Sequence, residues 1–184
     1  MQTLYFIRHG ETTDNTSGRW GNYDTPLSDV GRSQATAAGR AAKTEGLHFD
    51  LIIASPQPRA LETAELIAAE LGYPKDAIDQ MDTLVERRMG KLDNVLYDDF
   101  FTEGKVYKDL DDVPGVETVE AMQQRAAEAL ATIKAHPESA ILVVSHGAFG
   151  RAFRRTVLGI PYTDEYTTNR PHDMIPNATI AKLI

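Results

Sequence analysis

The chain has 184 residues, of which 42% are hydrophobic and 25% are charged, a composition typical of ordinary globular proteins and not of disordered or fibrous ones. Its formal net charge of −8 argues against nucleic acid or an anionic membrane as the main partner, so any anion site would need locally converging arginines. The absence of cysteine excludes thiol catalysis, disulfides and cysteine-ligated metals.

The length predicts a single domain covering residues 1–184, long enough to bury a sizeable core. The apolar run near its start is broken at Arg8, too soon for a signal peptide or a membrane span. We therefore expect a cytoplasmic protein with no membrane or nucleic-acid partner. The oligomeric state does not follow from the sequence.

The first predicted element is a short apolar strand, residues 4–7, that is followed by Arg8, His9 and Gly10. In α/β proteins, ligands bind at the carboxyl ends of the strands, so polar residues there are candidates for the functional site. Arg8 offers a planar set of donors that matches phosphate, His9 a neutral nitrogen nucleophile, and Gly10 room for a ligand near the backbone. The combination indicates phosphoryl chemistry, although a histidine in such a place is more often a structural residue.

A loop, a helix and a strand are predicted next. Residues 11–26 are rich in Thr, Asn, Gly and Asp, which favours a loop. Ser28 has the side chain of a helix cap, so we predict a helix over residues 29–44 that ends near Gly46. The apolar residues 50–54 predict a short buried strand.

A second helix is predicted to start directly after this strand, with Ser55 as its cap and Pro56 in its first position. Its apolar residues recur at spacings of three and four up to Leu71, which predicts one buried face. Arg59 would then lie in the first turn, beside backbone N–H groups that have no partner within the helix.

The second half of the chain continues the alternation of strands and helices, with one irregular interruption. Glu86 follows a weakly alternating segment, and the residues after it lose all periodicity, which is typical of a lid or substrate loop with short helical pieces. The predicted elements are a strand at 77–85, a lid at about 87–114, a helix at 118–135, a strand at 140–144, a helix at 148–158 and a last strand at 177–184.

Two separate apolar strands therefore each end in a His-Gly pair, His9-Gly10 and His146-Gly147. Strands alternating with helices predict an α/β fold with a mostly parallel sheet, in which both strand ends can lie at one edge. The helix start that carries Arg59 would reach the same edge. Two arginines and two histidines would then surround one pocket and complement the charge of a phosphoryl group.

These segments resemble the histidine phosphatase superfamily, also called the phosphoglycerate mutase-like family, over about residues 2–160. Six motifs match in family order, and together they are far more specific than any one alone. The matching motifs are Arg8-His9-Gly10-Glu11-Thr12 with Asn15, Asp24-Thr25-Pro26-Leu27-Ser28 with Gly31 and Gln34, Ser55-Pro56 with Arg59-Ala60 and Thr63-Ala64, Glu86-Arg87 with Gly90, Pro114-Gly115 with Glu117, and Ser145-His146-Gly147.

The resemblance implies a phosphoglycerate mutase-like three-layer α/β/α sandwich with a mostly parallel, mixed sheet. It also implies a phosphohistidine mechanism that needs no metal and no cofactor. His9 would be the nucleophile, and Glu86 would protonate the leaving alkoxide and then activate water. The groups implied to hold the phosphoryl oxygens are Arg8, Asn15, Arg59, His146 and the backbone N–H of Gly147.

Alternative readings of single residues remain open from the sequence. The two histidines could be metal ligands, but they lack the tight spacing expected of a metal site. Glu86 could be a surface carboxylate. His172 could face the pocket from the loop before the last strand, and Trp20 could either line the pocket or pack under the lid.

The sequence departs from the family pattern in two ways that bear on the substrate. Trp20 stands nearest the position where many members have Ser or Thr, and Met89 stands where the mutase branch has tyrosine. Residues 97–112 carry six acids against two lysines, from which we expect a lid that repels a second strong anion. We therefore predict a hydrolase acting on a small phosphorylated metabolite. The alternatives are a phosphoglycerate mutase, with intramolecular or cofactor-dependent transfer, and a domain that binds a phosphorylated ligand without turnover.

Overall fold

A computed structural model describes residues 2–101, 105–161 and 175–184. A five-stranded sheet with strand order β3-β2-β4-β1-β5 forms the centre of the molecule. The strands are β1 (Thr3–Arg8), β2 (Leu51–Ala54), β3 (Asp79–Gln80), β4 (Ala140–Ser145) and β5 (Ala181–Lys182). The helices are α1 (Thr13–Ser17), α2 (Asp29–Thr44), α3 (Pro58–Leu71), α4 (Tyr97–Phe100), α5 (Val119–Lys134) and α6 (Gly147–Leu158).

The sheet is mixed and mostly parallel, as predicted. Strand β4 lies between β2 and β1 and is parallel to both, while β5 pairs with β1 in the antiparallel direction. In the register of β1 with β4, Arg8 lies opposite Ser145. The carboxyl ends of these two central strands therefore meet at the same edge of the sheet.

Successive residues of the central strands point to opposite faces and enter two separate cores. Phe6 and Val143 pack with apolar residues of α5 and α6 on one face. Ile7 and Val144 pack with α3 on the other face, and α2 packs against α3. Strands buried on both faces have continuous apolar sequences, as β4 does. The predicted three-layer α/β/α arrangement is confirmed.

The start of α2 follows the predicted capping chemistry. The hydroxyl oxygen of Ser28 accepts a hydrogen bond from the N–H of Gly31 (3.0 Å), and Thr118 caps α5 in the same way by accepting one from Ala121 (3.1 Å). Gly46, just after α2, has a positive φ of 70°, the left-handed conformation that favours glycine at a helix end.

The start of α3 was predicted wrongly. The helix begins at Pro58, two residues later than expected, and Gln57 precedes it with extended backbone angles. A residue before proline is disfavoured in the helical region, so Gln57 cannot belong to the helix. The hydroxyl of Ser55 is not a helix cap but contacts the ring of His146. Arg59 still lies in the first turn.

Other boundaries also differ from the sequence prediction. Regular strand covers only Asp79–Gln80 of the predicted strand 77–85 and only Ala181–Lys182 of 177–184, with Asn177 forming an isolated bridge to Arg8. The predicted loop 11–26 contains the short helix α1, which Thr12 and Asn15 cap reciprocally. Such short elements depend on a few local hydrogen bonds and carry no periodicity.

The segment predicted as a lid is irregular chain with short helical pieces. Its described residues, 87–101 and 105–114, contain α4 and two 3₁₀ turns, Gly90–Leu92 and Tyr107–Asp112. Its buried residues Met89, Phe100 and Leu110 form a small core with Val116 that is separate from the two cores of the sheet. Across the described residues, every helix is too short or too polar to cross a lipid bilayer.

Candidate active site

The two predicted histidines lie side by side at the edge where β1 and β4 end. The N–H of His9 donates to the carbonyl oxygen of Ser145 (2.9 Å), which extends the strand pairing by one residue. The ring centroids of His9 and His146 are 5.1 Å apart, with an angle of 61° between the rings. The convergence predicted from the two His-Gly strand ends is therefore present.

The hydrogen bonding of His9 fixes which ring nitrogen carries the proton. Its Nδ1 lies 2.7 Å from the carbonyl oxygen of Gly10. A carbonyl oxygen can only accept, so Nδ1 must donate, and the lone pair of a neutral ring is then on Nε2. The side chain borders the cavity described below, although His9 is only 3% exposed.

Burial keeps both histidines neutral. It lowers the pKa of His9 well below 6.5, and the nearby charges of Arg59 and Arg8 lower it further. Burial is also the main cause that lowers the pKa of His146, followed by the charge of Arg59 and the neighbouring ring of His9. A neutral imidazole is the form that can act as a nucleophile.

His146 lies deeper than His9. It is fully buried and does not line the cavity, and its Nε2 is 2.8 Å from the hydroxyl oxygen of Ser55. Its Nδ1 is buried and has no hydrogen-bond partner among residues 2–101, 105–161 and 175–184. The hydroxyl oxygen of Ser55 also accepts a hydrogen bond from the N–H of Gln57 (3.3 Å). The hydroxyl hydrogen of Ser55 is therefore available to donate to Nε2 of His146.

Two arginines flank His9. The guanidinium of Arg59, on the second residue of α3, donates to the backbone oxygen of Asn22 (2.9 Å), which fixes its position. Burial lowers the pKa of both Arg8 and Arg59, and the negative charge of Glu86 partly opposes this. A Cβ added to Gly147 would lie 3.2 Å from Nε of Arg8, so glycine gives Arg8 its room.

The carboxylate of Glu86 lies at the N-terminus of α6. Its Oε2 accepts the N–H groups of Gly147 (2.9 Å) and Ala148 (3.1 Å), and its Oε1 accepts those of Phe149 (2.8 Å) and Arg87 (2.9 Å). The first N–H groups of a helix have no partner within it and carry partial positive charge. Glu86 therefore neutralises the start of α6, and the N–H of Gly147 is bonded to it.

The segment that carries Glu86 has no regular structure and is held from α5. Arg125 donates to the carbonyl oxygens of Thr83 (2.8 Å) and Val85 (2.7 Å) and forms two hydrogen bonds to the carboxylate of Glu117 (2.8 and 2.7 Å). Both partners of this ion pair are buried. Such a fully satisfied network can hold an irregular segment in one conformation.

A cavity of about 310 Å³ opens in front of His9. Six of the seven predicted site residues line it, namely Arg8, His9, Asn15, Arg59, Glu86 and Gly147, and His146 is the exception. Trp20 also lines the cavity, which answers one question that the sequence left open. His172 lies outside the described residues. The volume is at the lower end of small-molecule sites.

Sequence reasoning missed several residues that hold the site together. The side chain of Gln57 accepts the N–H of Glu86 (2.7 Å), and Asn177 donates to the carbonyl oxygen of His9 (2.8 Å). Neither has a sequence signal that would reveal the contact. Arg125 did have one, because it is a charged residue beside Met122 and Ala126 on the apolar face of its helix.

The described residues contain no group of three or more His, Asp or Glu side chains that could hold a metal ion. The expected repulsion of anions by the lid does not follow from the geometry, since none of the lid acids among the described residues lines the cavity. Asp111 is instead paired with Arg87 (2.5 Å), and Asp98, Asp99 and Asp112 are exposed. Asp111 therefore balances a cation of the cavity wall, and the other three carboxylates are at the surface.

Comparison with known proteins places these features in a family. The model of the histidine phosphatase superfamily (branch 1) matches residues 4–182. The chain is 33% identical over 161 residues to the uncharacterized phosphatase PhoE of Bacillus subtilis (strain 168), covering 86% of this chain and 79% of PhoE. It is also 33% identical over 170 residues to the probable phosphoglycerate mutase GpmB of Salmonella paratyphi B, covering 88% of this chain and 77% of GpmB.

Among solved structures, the chain is similar to that of the open reading frame Rv3214 from Mycobacterium tuberculosis. The TM-score is 0.75 at 28% sequence identity, and the match covers 97% of this chain and 89% of that one.

The burial of neutral histidines predicts a pH dependence of stability. His9 and His146 stay neutral when folded but take up protons near pH 6.5 when unfolded, so below that pH the unfolded state binds more protons. The free energy of unfolding should therefore fall as the pH decreases below 6.5, by up to about 1.4 kcal/mol per pH unit for each histidine. Urea unfolding between pH 7.5 and 5.5 measures this slope.

His9→Asn and His146→Asn should each reduce the slope. His48→Asn is the control, because that side chain is 85% exposed, and it should keep the slope of the wild type. Wild-type slopes in both buried-site variants would contradict the prediction.

Proposed function

The chain belongs to the histidine phosphatase superfamily, and from this premise we propose that it hydrolyses small phosphomonoesters through a phosphohistidine on His9. The observation that carries the proposal is the state of His9. Its ring is neutral, its Nδ1 proton is donated to Gly10, and Nε2 is left as a base at a cavity that Arg8 and Arg59 also line. A neutral imidazole beside two fixed cations suits attack on an anionic phosphoryl group.

In the first proposed step, Nε2 of His9 attacks phosphorus in line with the ester oxygen. The N–P bond forms while the P–O bond to the alcohol breaks, and the electron pair leaves with that oxygen. Glu86 gives the departing oxygen its proton. Arg8 and Arg59 hold the phosphoryl oxygens and stabilise the charge of the transition state, with Asn15 at the same wall of the cavity.

Two further donors come from the end of β4 and the start of α6. Nδ1 of His146 is a buried group without a partner among the described residues, which makes it the ring nitrogen proposed to bind a phosphoryl oxygen. The N–H of Gly147 is bonded to Glu86 at 2.9 Å. Its proposed role in phosphate binding therefore requires Glu86 to give up this donor when the substrate enters.

The release of the N–H of Gly147 would also favour the protonated form of Glu86. Away from the N–H groups of α6 and beside an anionic phosphoryl group, a negative carboxylate loses its stabilising partners and meets a like charge. In the second step Glu86 takes a proton from a water molecule as the oxygen of that water attacks phosphorus. The N–P bond breaks, inorganic phosphate leaves, and His9 is again a neutral base.

The first experiment tests the covalent intermediate. Enzyme mixed with 32P-labelled phosphomonoester and quenched within milliseconds should carry an acid-labile, alkali-stable phosphate on the peptide that contains His9. His9→Ala should remove both the label and more than about 99% of the turnover, because no other group replaces the nucleophile.

His48→Ala is the matched control and should retain wild-type labelling. Wild-type turnover of aryl and alkyl phosphates by His9→Ala would reject the mechanism. A protein that binds phosphate without hydrolysing any ester would support the non-catalytic alternative.

The role of Glu86 predicts a dependence on the leaving group. Glu86→Gln cannot supply a proton, so it should lower kcat/KM for an alkyl phosphate by about 100-fold or more. For 4-nitrophenyl phosphate the loss should be far smaller, since nitrophenolate leaves without protonation. Equal losses for both esters would remove Glu86 from this role and leave it only as the partner of α6.

Phosphoglycerate mutase is the second candidate, favoured by the similarity to GpmB. A mutase must hold a bisphosphorylated intermediate and exclude water. Met89 lines the cavity at the position where the mutase branch usually has tyrosine, so the hydroxyl of that tyrosine is missing here. We propose hydrolysis as the main reaction. With 3-phosphoglycerate, alone or with 2,3-bisphosphoglycerate, inorganic phosphate should appear at least about tenfold faster than 2-phosphoglycerate, and the opposite order would reverse the proposal.

A further inference from the structure

The cavity has two chemically different ends. The inner end carries the charged and polar groups around His9. The outer end is walled by large side chains from the lid and from the loop after α1, namely Trp20, Met89, Tyr97, Phe101 and Tyr107, and Arg87 and Arg151 line the cavity beside Tyr107. We infer that the alcohol part of the substrate contains a flat, apolar ring, an inference that rests on the proposed phosphatase function.

The aromatic wall is held in place before any substrate arrives. The ring of Trp20 packs edge to face on Tyr97, with centroids 5.0 Å apart, and lies 5.8 Å from Phe101. Behind them Phe100 is buried in the small core of the lid. Side chains that are already fixed lose little conformational entropy when a ligand binds, so most of the contact energy contributes to the free energy of binding.

Backbone hydrogen bonds join the two segments that form this wall. The N–H of Trp20 donates to the carbonyl oxygen of Val95 (3.1 Å), and the N–H of Asn94 donates to that of Trp20 (2.8 Å). The N–H of Tyr97 donates to the carbonyl oxygen of Gly18 (2.8 Å). Trp20 and the start of α4 are therefore one structural unit, although 76 residues lie between Trp20 and Tyr97 in the sequence.

The charges at the outer end are partly balanced. Arg87 is paired with Asp111 at 2.5 Å and donates to the carbonyl oxygen of Glu117 (2.7 Å). Its guanidinium lies 4.8 Å from the ring centroid of Tyr107, and that of Arg151 lies 5.3 Å from the same ring. Cations over an aromatic face fix the ring and are partly satisfied by it. The surface offered to the alcohol is thus mainly aromatic.

Aromatic surfaces favour a ring over an open chain of similar size. A stacked or edge-to-face pair contributes beyond the burial of area alone, and a flat ring fits between side chains that are themselves flat. An open-chain alcohol such as glycerate would leave most of the aromatic wall uncovered.

The test compares esters that share one type of leaving group, so that differences in kcat/KM report binding of the alcohol and not the ease with which it leaves. All four are phosphates of primary alcohols, namely 2-phenylethyl phosphate, 2-cyclohexylethyl phosphate, propyl phosphate and 3-phosphoglycerate. We expect kcat/KM for the phenyl ester to exceed that for propyl phosphate by about tenfold or more, with the cyclohexyl ester between them. Equal values, or a preference for 3-phosphoglycerate, would overturn the inference.

Variants then connect the preference to the wall. Tyr107→Leu and Trp20→Leu should each bring the ratio of kcat/KM for the phenyl and propyl esters at least about threefold closer to one. Tyr107→Phe and Trp20→Phe keep a ring and should retain most of the preference. A ratio that is unchanged in both leucine variants would overturn the inference, and thermal unfolding checks that each variant is folded.

The outcomes separate this inference from the function on which it rests. Phosphate released from all four esters at equal efficiency would leave the phosphatase standing and reject the ring. No phosphate from any of them, with no phosphohistidine, would reject the phosphatase itself and the inference with it.

Discussion

The pairing of β1 with β4 is the constraint on which the rest of the site depends. In this register Arg8 lies opposite Ser145, and the N–H of His9 donates to the carbonyl oxygen of Ser145. The residues that follow the two strands are then neighbours at one edge of the sheet. A slip of one residue would turn one of the two histidines to the other face, because side chains alternate along a strand. The 5.1 Å separation of the rings of His9 and His146 is thus a property of the sheet.

Around this pair, charge and burial act together. Burial and two neighbouring arginines lower the pKa of both histidines, which keeps the imidazoles neutral and leaves the positive charge on guanidinium groups that do not titrate near neutral pH. Glu86 lines the same cavity, where four N–H groups, three of them from the start of α6, bind its carboxylate. A site with a buried and a half-buried cation, whose carboxylate is already bound by N–H groups, is prepared for an anion, at some cost in stability.

Different sets of contacts hold the phosphate end of the cavity, the segment that carries Glu86, and the lid. The central strands and their helices fix the phosphate end, while the ion pair of Arg125 with Glu117 fixes the irregular segment that carries the acid. The lid has its own small core around Phe100 and Leu110. Loops on a rigid scaffold can vary without disturbing the chemistry beneath them, so the outer end of the cavity is where such a fold can change its choice of alcohol.

Features that depend on local chemistry could be predicted from the amino-acid sequence. Apolar runs, caps such as Ser28, and polar residues at strand ends predicted an α/β fold with a mostly parallel sheet and a site around His9, and the family resemblance implied the three layers. Contacts between residues far apart in the chain became visible only in the tertiary structure. The hydrogen bonds of Glu86 to α6, those of Arg125 to the segment before Glu86, and the pairing of the lid acid Asp111 with Arg87 are of this kind. Periodicity shows which face of an element is buried, but a hydrogen-bond partner is set by the packing of other elements, which no local pattern contains.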